Sequence, residues 1–391
     1  MPAGHGESVY LVHWARTGRP HSNGAAPPSA ADDELTELAE LALSAGARVT
    51  GSSRQRSPEP HPATLVGPGK VQEIFAGAHA ADATCVIFAN DLRPTQLRNL
   101  EEALKLRVID RTQLILDIFA RRARTREGKL QVELAQLNYL LPRLAGQGAR
   151  LSRLGGGIGT RGPGEQQLET DRRRVRARIR KLKEALEGVR VQRSLHREHR
   201  RQQSFLSVAL IGYTNAGKST LFNMLTGSET LESPRLFATL DPAVRALRLP
   251  SGRKALLSDT VGFIRDLPPH LVASFRATLE ELESAALLLH VADISNPDYR
   301  QQIDAVSKLL AVLGLQSTPV LCAWNKIDLL ADGERLPSDS SNVSVSARTG
   351  FGTATLLERI DEMLARRGLE GETFETGVGP AAGRGGEAPH V

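Results

Sequence analysis

The chain of 391 residues is poor in cysteine, in aromatic side chains and in long apolar runs. Its two cysteines, Cys85 and Cys322, stand in apolar segments that we predict to be buried strands of different domains, so we expect neither a disulfide nor a cysteine metal site. Phe, Trp and Tyr make up only 4% of the residues, which leaves few rings on which nucleic-acid bases could stack. No apolar run approaches the roughly 20 residues of a membrane-spanning helix, so we expect a cytoplasmic protein.

Positive charge is abundant, but only in one segment. The net charge of the chain is +6, whereas residues 121–201 carry 22 Lys or Arg against 8 Asp or Glu, a surplus of +14. The rest of the chain is therefore acidic. Such a concentration indicates a nucleic-acid partner; the alternative is a solvated charged helix.

The pattern of apolar residues predicts an α/β protein of two domains with a helical hairpin between their cores. Residues 1–31 are rich in Gly, Pro, Ala and Ser and are predicted to be a flexible extension that begins with a weak strand (YLVHW). Strands and helices alternate over residues 32–125, which predicts a small α/β subdomain with a parallel sheet. Alternation resumes over residues 204–367, and residues 368–391 are predicted to be a disordered tail.

Residues 126–203 have a different period. Apolar residues recur there at alternating steps of three and four, which is typical of a coiled-coil seam. We therefore predict an antiparallel helical hairpin with a Gly-rich tip at residues 145–165. The two seams consist of Leu130, Leu134, Leu137, Leu141 and Leu144, and of Val175, Ile179, Leu182, Leu186 and Val189.

A phosphate-loop motif stands between an apolar strand and a helix. Its glycines let the backbone wrap a phosphate chain, Lys218 is expected to reach the β and γ phosphates, and Ser219 to ligate Mg²⁺. The loop residues expected to bind nucleotide are Gly212, Tyr213, Thr214, Asn215, Ala216, Gly217, Lys218, Ser219 and Thr220.

Three further motifs, each after a predicted strand, indicate that the nucleotide is GTP. Asp259 is expected to hold Mg²⁺ through water and Gly262 to contact the γ phosphate. Asp328 can accept hydrogen bonds from N1 and N2 of guanine, whereas adenine presents the wrong edge. The predicted contacts of these motifs are Asp259, Thr260, Val261 and Gly262; Asn325, Lys326, Ile327 and Asp328; and Ser346, Ala347 and Arg348.

Between the first helix of this domain and its next strand lies the expected switch threonine, Thr239, which would complete the Mg²⁺ shell. The alternative is a surface threonine in a loop. Lys218, Thr239 and Gly262 are the predicted catalytic residues. The predicted nucleotide contacts around the threonine are Phe237, Ala238, Thr239, Leu240 and Asp241.

Phe263 stands where many GTPases carry a glutamine that orients the attacking water. A phenyl ring cannot do this, so we expect slow hydrolysis unless a partner or another group assists. Asn215 is one candidate, because some GTPases bind a K⁺ ion at this position; the alternative is an asparagine that only stabilises the loop.

Several long segments together resemble the HflX family of translational GTPases. They are LRPTQLRNLE, VIDRTQLILDIFARRARTREGKLQVELAQLNYLLPRL, GGGIGTRGPGEQQLETDRR and GYTNAGKSTLFN. The resemblance covers residues 64–364 and implies an N-terminal HflX domain, with its helical hairpin, ahead of a Ras-like G domain. It also implies binding to the large ribosomal subunit, stimulated GTP hydrolysis there, and splitting of stalled ribosomes under stress. A cytoplasmic monomer with a ribosome-bound or peripheral membrane fraction is then expected.

The basic residues of the hairpin fit an rRNA partner, because phosphates attract them and the glycines of the tip allow close approach. The predicted RNA contacts are Arg143, Arg150, Arg153 and Arg161 in or beside the tip, and Arg172, Arg173, Arg174, Arg176, Arg178, Arg180 and Lys181 on the returning helix. A second function remains open: a GTP-gated RNA-binding assembly or anti-association factor with incidental hydrolysis. An ATP-dependent RNA remodeller is disfavoured by Asp328. A second, ATP-binding site at residues 67–70 (GPGK) is disfavoured because the motif lacks phosphate-loop spacing.

Overall fold

A computed structural model describes residues 6–17, 30–144, 163–202, 206–228, 236–237, 239–240, 243–265, 282–330 and 342–375. The strands are β1 Ser8–Arg16, β2 Arg48–Ser57, β3 Cys85–Phe88, β4 Arg107–Asp110, β5 Ser207–Ile211, β6 Ala243–Arg248, β7 Lys254–Asp259, β8 Leu287–Asp293, β9 Val320–Asn325 and β10 Asn342–Ser344. The helices are α1 Ala30–Ser44, α2 Pro68–Ala80, α3 Pro94–Leu104, α4 Arg111–Arg122, α5 Arg126–Leu144, α6 Pro163–Gln202, α7 Lys218–Thr226, α8 Tyr299–Val312 and α9 Thr353–Glu375.

The N-terminal domain is a parallel four-stranded sheet in the order β2-β1-β3-β4. Strand β1 lies between two neighbours, and its residues 8–13 are buried. This corrects the expectation that residues 1–31 form an extension, because an apolar strand paired on both edges is a core element. Strand β2 was not predicted, since its sequence RVTGSSRQRS is polar and lacks an apolar face.

Helices α5 and α6 pack on each other as the predicted hairpin. Their contact is made by Leu134, Ile179 and Leu182, which are buried, with other seam residues packed around them. Arg178 and Glu133 form a bidentate ion pair between the two helices, with nitrogen–oxygen distances of 2.6 and 2.8 Å. The predicted tip, residues 145–165, lies outside the described residues except for the first three residues of α6.

The G domain contains a six-stranded sheet in the order β10-β9-β8-β5-β7-β6, in which only β6 runs antiparallel. All six strands lie within residues 204–367, where the sequence predicts alternating strands and helices. Helix α9 continues to Glu375 and therefore passes residue 367, where we expected the domain to end. The α/β fold class with a Ras-like nucleotide domain is confirmed.

One hydrophobic cluster joins the two domains. It includes Leu41 of α1 and Phe119 of α4 together with Tyr213, Phe237 and Ile264 of the G domain. The rings of Phe119 and Phe237 meet edge to face, with centroids 4.7 Å apart. The segments that flank the phosphate site are thus packed into the core of the N-terminal domain.

Among the helices of the described residues, none combines the length and apolar character needed to cross a bilayer.

Candidate GTP site

The phosphate loop connects β5 to α7 and needs glycine at two positions. Gly212 has a φ of +149°, and a Cβ built on it would lie 2.2 Å from the carbonyl oxygen of Val291. Gly217 has a φ of +91°, and a Cβ there would lie 2.2 Å from Nδ2 of Asn325. Because both positions exclude a side chain, the loop stays narrow and its backbone can approach an anion closely.

Lys218 begins α7 and is buried, with only 6% of its surface exposed. Its Nζ donates hydrogen bonds to the carbonyl oxygens of Gly212, at 3.1 Å, and Tyr213, at 2.8 Å. Burial lowers the pKa of Lys218 to about 8, and the carboxylate of Asp259 opposes this shift. A phosphate placed beside the ammonium group would favour its charged form in the same way.

The three residues predicted to surround a metal ion lie together. Ser219 Oγ and Thr239 Oγ1 donate hydrogen bonds to Oδ2 of Asp259 at 2.8 and 2.9 Å, and the two hydroxyls are 2.8 Å apart. Asp259 is fully buried at the end of β7, and burial raises the pKa of its carboxyl group. Two hydroxyls and a carboxylate form a set of oxygen ligands that suits Mg²⁺.

Asn325 ties the base-recognition motifs to the phosphate loop. Its Nδ2 donates to the carbonyl oxygen of Ala216 at 2.8 Å, and its Oδ1 accepts from the backbone N–H of Ala347 at 2.9 Å. Asp328 is exposed, and its carboxylate accepts a 2.6 Å hydrogen bond from Ser346 Oγ. Lys326, which has a φ of +66°, pairs with Asp293 at 2.6 Å. The four motifs therefore form one site.

Phe263 does not face this site. Its ring is 4% exposed and belongs to the hydrophobic cluster that contains Ile211 and Leu288. Its backbone pairs with the phosphate loop, because Phe263 N donates to Gly212 O at 3.0 Å and Phe263 O accepts from Thr214 N at 2.7 Å. The side chain at the usual glutamine position is thus a core residue.

Comparison with known proteins gives the family to which most of the chain can be matched. Three family models match in succession: "GTP-binding GTPase N-terminal" over residues 32–120, "GTP-binding GTPase Middle Region" over 122–200, and "50S ribosome-binding GTPase" over 207–326. GTPase HflX of Alkalihalophilus pseudofirmus is 56% identical over 77% of this chain and 71% of its own length. GTPase HflX of Caldanaerobacter subterraneus is 51% identical over 85% of this chain and 77% of its own length.

The chain belongs to the HflX family of GTPases. Among solved structures, that of SsGBP in complex with GDP is 25% identical, with a TM-score of 0.51, over 92% of this chain and 99% of that chain. The protein is a GTP-hydrolysing enzyme, in agreement with the prediction from its four motifs.

Four residues that were predicted to contact the nucleotide have side chains that are buried outside the GTP site. Phe237, Leu240 and Val261 are buried in the cluster shared with the N-terminal domain. Thr260 is buried and donates its hydroxyl hydrogen bond to Leu210 O at 2.5 Å. Only the backbones of these four residues remain candidates for nucleotide contacts. Ala238 and Asp241 lie outside the described residues.

Arg143 has a structural position, which corrects its assignment as an RNA contact. Its Nη2 donates to Oδ2 of the fully buried Asp110 at 2.9 Å and to Leu92 O at 3.1 Å. Its guanidinium carbon lies 3.3 Å from the ring centroid of Tyr139, whose hydroxyl donates to the other oxygen of Asp110 at 2.7 Å. Because the guanidinium group of Arg143 makes all of these contacts, it fixes α5 to the N-terminal sheet.

The other basic residues of the hairpin differ in exposure. Arg173 and Arg174 are more than 70% exposed, and Arg178 is half exposed beside Glu133. Arg176, Arg180 and Lys181 are exposed, whereas Arg172 is half-buried. Arg150, Arg153 and Arg161 lie outside the described residues.

The GPGK segment at residues 67–70 is the start of α2, with Gly67 as the N-cap residue and Pro68 as the first helical residue. Lys70 pairs with Glu73 at 2.6 Å. A helix-initiating turn therefore occupies the segment where the sequence disfavours a second phosphate loop.

The contact of α1 with the nucleotide motifs had no signal in the sequence. Glu37 accepts a hydrogen bond from Tyr213, and Ser44 Oγ accepts one from the backbone N–H of Leu236 at 2.9 Å. These partners are 176 and 192 residues apart. A periodic pattern can reveal which face of α1 is apolar, but not which distant segment covers it.

Proposed function

We propose that this GTPase binds the large ribosomal subunit through its helical hairpin and splits or rescues stalled ribosomes, with GTP hydrolysis driving its release. The observation that carries the proposal is the row of exposed cations on α6, which includes Arg173, Arg176 and Arg180. These residues belong to the segment with a charge surplus of +14, while the remainder of the chain is acidic. The description of the matching G-domain family as ribosome-binding supports the same partner.

The proposed mode of RNA recognition is contact with phosphates and helix shape. Exposed arginines can neutralise phosphates, and each neutralised phosphate releases counterions, so binding weakens as salt rises. The few aromatic residues argue against recognition by base stacking. Arg178 is part of this surface, although Glu133 would compete with RNA phosphates for its guanidinium group. Arg143 is not part of it, because it already forms an ion pair with Asp110.

We further propose that Mg²⁺ is bound directly by Ser219 and Thr239 and through water by Asp259. The bound ion would neutralise charge on the phosphates during hydrolysis. Lys218 and the backbone N–H of Gly262 would contact the γ phosphate. Asn215, which is exposed and has a φ of +62°, is the proposed contact of a K⁺ ion. Exchanging K⁺ for Na⁺ should then slow hydrolysis in the wild type and have little effect in Asn215→Ala; equal rates in both salts would contradict the K⁺ site.

The main experiment measures GTP turnover of the full chain alone and with purified small, large and joined ribosomal particles, alongside light scattering of the joined particles. We expect the large subunit to stimulate turnover and the scattering to fall as joined particles separate. Absence of binding to any particle would contradict the proposal.

A pair of matched variants tests the binding surface. Arg176→Glu with Arg180→Glu reverses two charges on α6, and Arg248→Glu with Lys308→Glu reverses two exposed charges in the G domain. The first pair should weaken subunit binding and reduce its salt dependence, by about 0.9 or less in log–log slope per lost phosphate contact. The second pair should leave both unchanged. Equal effects of the two pairs would indicate net charge alone.

A second function is favoured by the burial of Phe263, which leaves the usual water-orienting position without a polar group. It is a GTP-gated RNA-binding assembly or anti-association factor, in which hydrolysis is incidental. The same experiment separates the two functions. Binding of the large subunit without stimulated turnover would support the second one.

A further inference from the structure

The Tyr213 hydroxyl lies between the two domains and bonds to both. Tyr213 is the second residue of the phosphate loop, yet its ring is 7% exposed and packs in the cluster shared with α1 and α4. The hydroxyl donates to Glu37 Oε2 at 2.5 Å and accepts from the backbone N–H of Arg265 at 2.9 Å. Burial, followed by the negative charge of Glu37, raises the pKa of Tyr213, so the phenol remains a donor at neutral pH.

Arg265 lies in the segment whose backbone pairs with the phosphate loop. Residues 261–265 are held at three places: the backbone pairing of Phe263 with the loop, the burial of Val261 and Ile264 in the shared cluster, and the bond from Arg265 to Tyr213. Of these three, only the bond from Arg265 to Tyr213 is a hydrogen bond to a side chain that the N-terminal domain holds in place.

This anchored segment passes close to Lys218 and the phosphate loop. A Cβ built on Gly262 would lie 3.0 Å from Lys218 Nζ and 2.9 Å from Thr214 Cγ2. Glycine at this position therefore lets the backbone of the segment approach the phosphate loop, where a side chain would meet Lys218 and Thr214. Because the backbone N–H of Gly262 is the proposed contact of the γ phosphate, the position of this segment matters more for GTP than for GDP.

Glu37 is itself held in place. It forms an ion pair with Arg111 at the start of α4, and its side chain is 19% exposed. Ser44, two turns further along α1, accepts a hydrogen bond from Leu236 in the segment before Thr239. The same helix thus holds both segments that flank the γ phosphate.

We infer that Tyr213 and Glu37 are positioning residues for GTP binding and hydrolysis. The Tyr213 hydroxyl, held by Glu37, sets the distance of Gly262 from Lys218. Neither residue's side chain touches the nucleotide in this role. Glu37 acts through Tyr213, and Tyr213 acts through the backbone of Arg265. Held in this way, the backbone N–H of Gly262 is aligned for the γ phosphate, which GTP has and GDP lacks.

The test uses the full chain and three variants. Tyr213→Phe removes the hydroxyl and keeps the buried ring, Glu37→Leu removes the acceptor, and Glu37→Gln keeps an acceptor of similar shape. Tyr10→Phe is the matched control, because Tyr10 is also buried and its hydroxyl bonds to Ser53 at 3.0 Å, in the N-terminal sheet away from the GTP site.

Affinities are measured with fluorescent GDP and with a fluorescent non-hydrolysable GTP analogue, and kcat and KM with GTP. In Tyr213→Phe and Glu37→Leu we expect the GTP-analogue affinity to fall relative to that of GDP by roughly 2- to 10-fold, the range of one neutral hydrogen bond. We expect kcat to fall as well, because Gly262 is then less well aligned. Glu37→Gln should lie near the wild type.

The double variant Tyr213→Phe with Glu37→Leu should shift the affinity ratio no further than either single change, because both remove the same link. Tyr10→Phe should leave the ratio unchanged. An unchanged ratio in both Tyr213→Phe and Glu37→Leu would overturn the inference, as would an equal shift in Tyr10→Phe. A fall of both affinities by one factor would also overturn it, because that result indicates a purely structural role.

Discussion

Arg143 donates a hydrogen bond to the buried carboxylate of Asp110 at 2.9 Å, and through it the hairpin is attached to the N-terminal sheet. Burial raises the pKa of Asp110, against the lowering by its hydrogen bonds and by Arg143. Removing the arginine leaves a charge without its partner in the core. We expect Arg143→Ala to lower the free energy of unfolding by about 3 to 5 kcal/mol, measured by urea denaturation.

Arg176→Ala is the control for this change, because Arg176 is an exposed arginine of the same hairpin. It should leave the denaturation midpoint unchanged and weaken binding to the large subunit. If Arg143→Ala weakened RNA binding with full stability, the structural assignment of Arg143 would be wrong.

Asp328 should determine the choice of base. In Asp328→Asn the amide NH2 group replaces one carboxylate oxygen and would face a guanine donor, so one of two charge-assisted hydrogen bonds is lost. Each such bond is worth about 1.5 to 3 kcal/mol. We therefore expect GTP affinity to fall by at least 10-fold. Xanthosine triphosphate should gain affinity, because the new amide group can donate to its extra oxygen. Competition with fluorescent GDP measures both effects.

Ser346→Ala is the corresponding control. It removes the 2.6 Å hydrogen bond that orients Asp328 but keeps the carboxylate. GTP should bind more weakly, by less than in Asp328→Asn, and xanthosine triphosphate should gain nothing. Unchanged guanine preference in Asp328→Asn would refute the assignment of the base pocket.

Phe263 is expected to act as a core residue. Phe263→Gln places a polar group among Ile211 and Leu288, so it should destabilise the protein by about 3 kcal/mol without raising unstimulated GTP turnover. Phe263→Leu, which stays apolar, should lose less stability. A faster unstimulated turnover in Phe263→Gln would show that the side chain reaches the attacking water.

Asp117 should make stability depend on pH. It is 5% exposed on α4, and burial raises its pKa to about 6 despite Arg107. Between pH 4 and 6 the unfolded chain loses this proton while the folded chain keeps it, so the free energy of unfolding falls as pH rises. We expect a contribution of about 1 to 3 kcal/mol, complete above pH 6.

Asp117→Asn should remove that slope and stabilise the protein at pH 7. Urea denaturation of the wild type and of Asp117→Asn from pH 4 to 8 gives the free energy of unfolding of each protein. Subtracting one from the other cancels the contributions of the other titrating groups. Parallel curves would show that Asp117 has an ordinary pKa in the folded protein.

The sequence predicted the parts of the site that depend on local chemistry. Gly212, Lys218 and Asp328 each belong to a short motif after an apolar strand, and the structure brings these motifs together. The seam through Leu134 and Ile179 was equally predictable, because its period is regular. In each case the required information lies within a few turns or one strand and its loop.

The remaining features depend on contacts between distant residues. Strand β2 is polar and is stabilised by pairing with β1, so its own sequence gives no periodic signal. Arg143 looks like every other arginine of the hairpin until Asp110 is placed beside it. Glu37 and Tyr213 are likewise not a recognisable pair in the sequence, because only the packing of the two domains brings them into contact.

Helix α6 has 40 residues and is therefore about 60 Å long. It ends at Gln202, and strand β5, which begins at Ser207, leads directly into Gly212. A rod of this length magnifies rotation: each degree of tilt about one end moves the other end by about 1 Å. A tilt of a few degrees where the helix meets the G domain would thus move the far end of the hairpin by several ångströms.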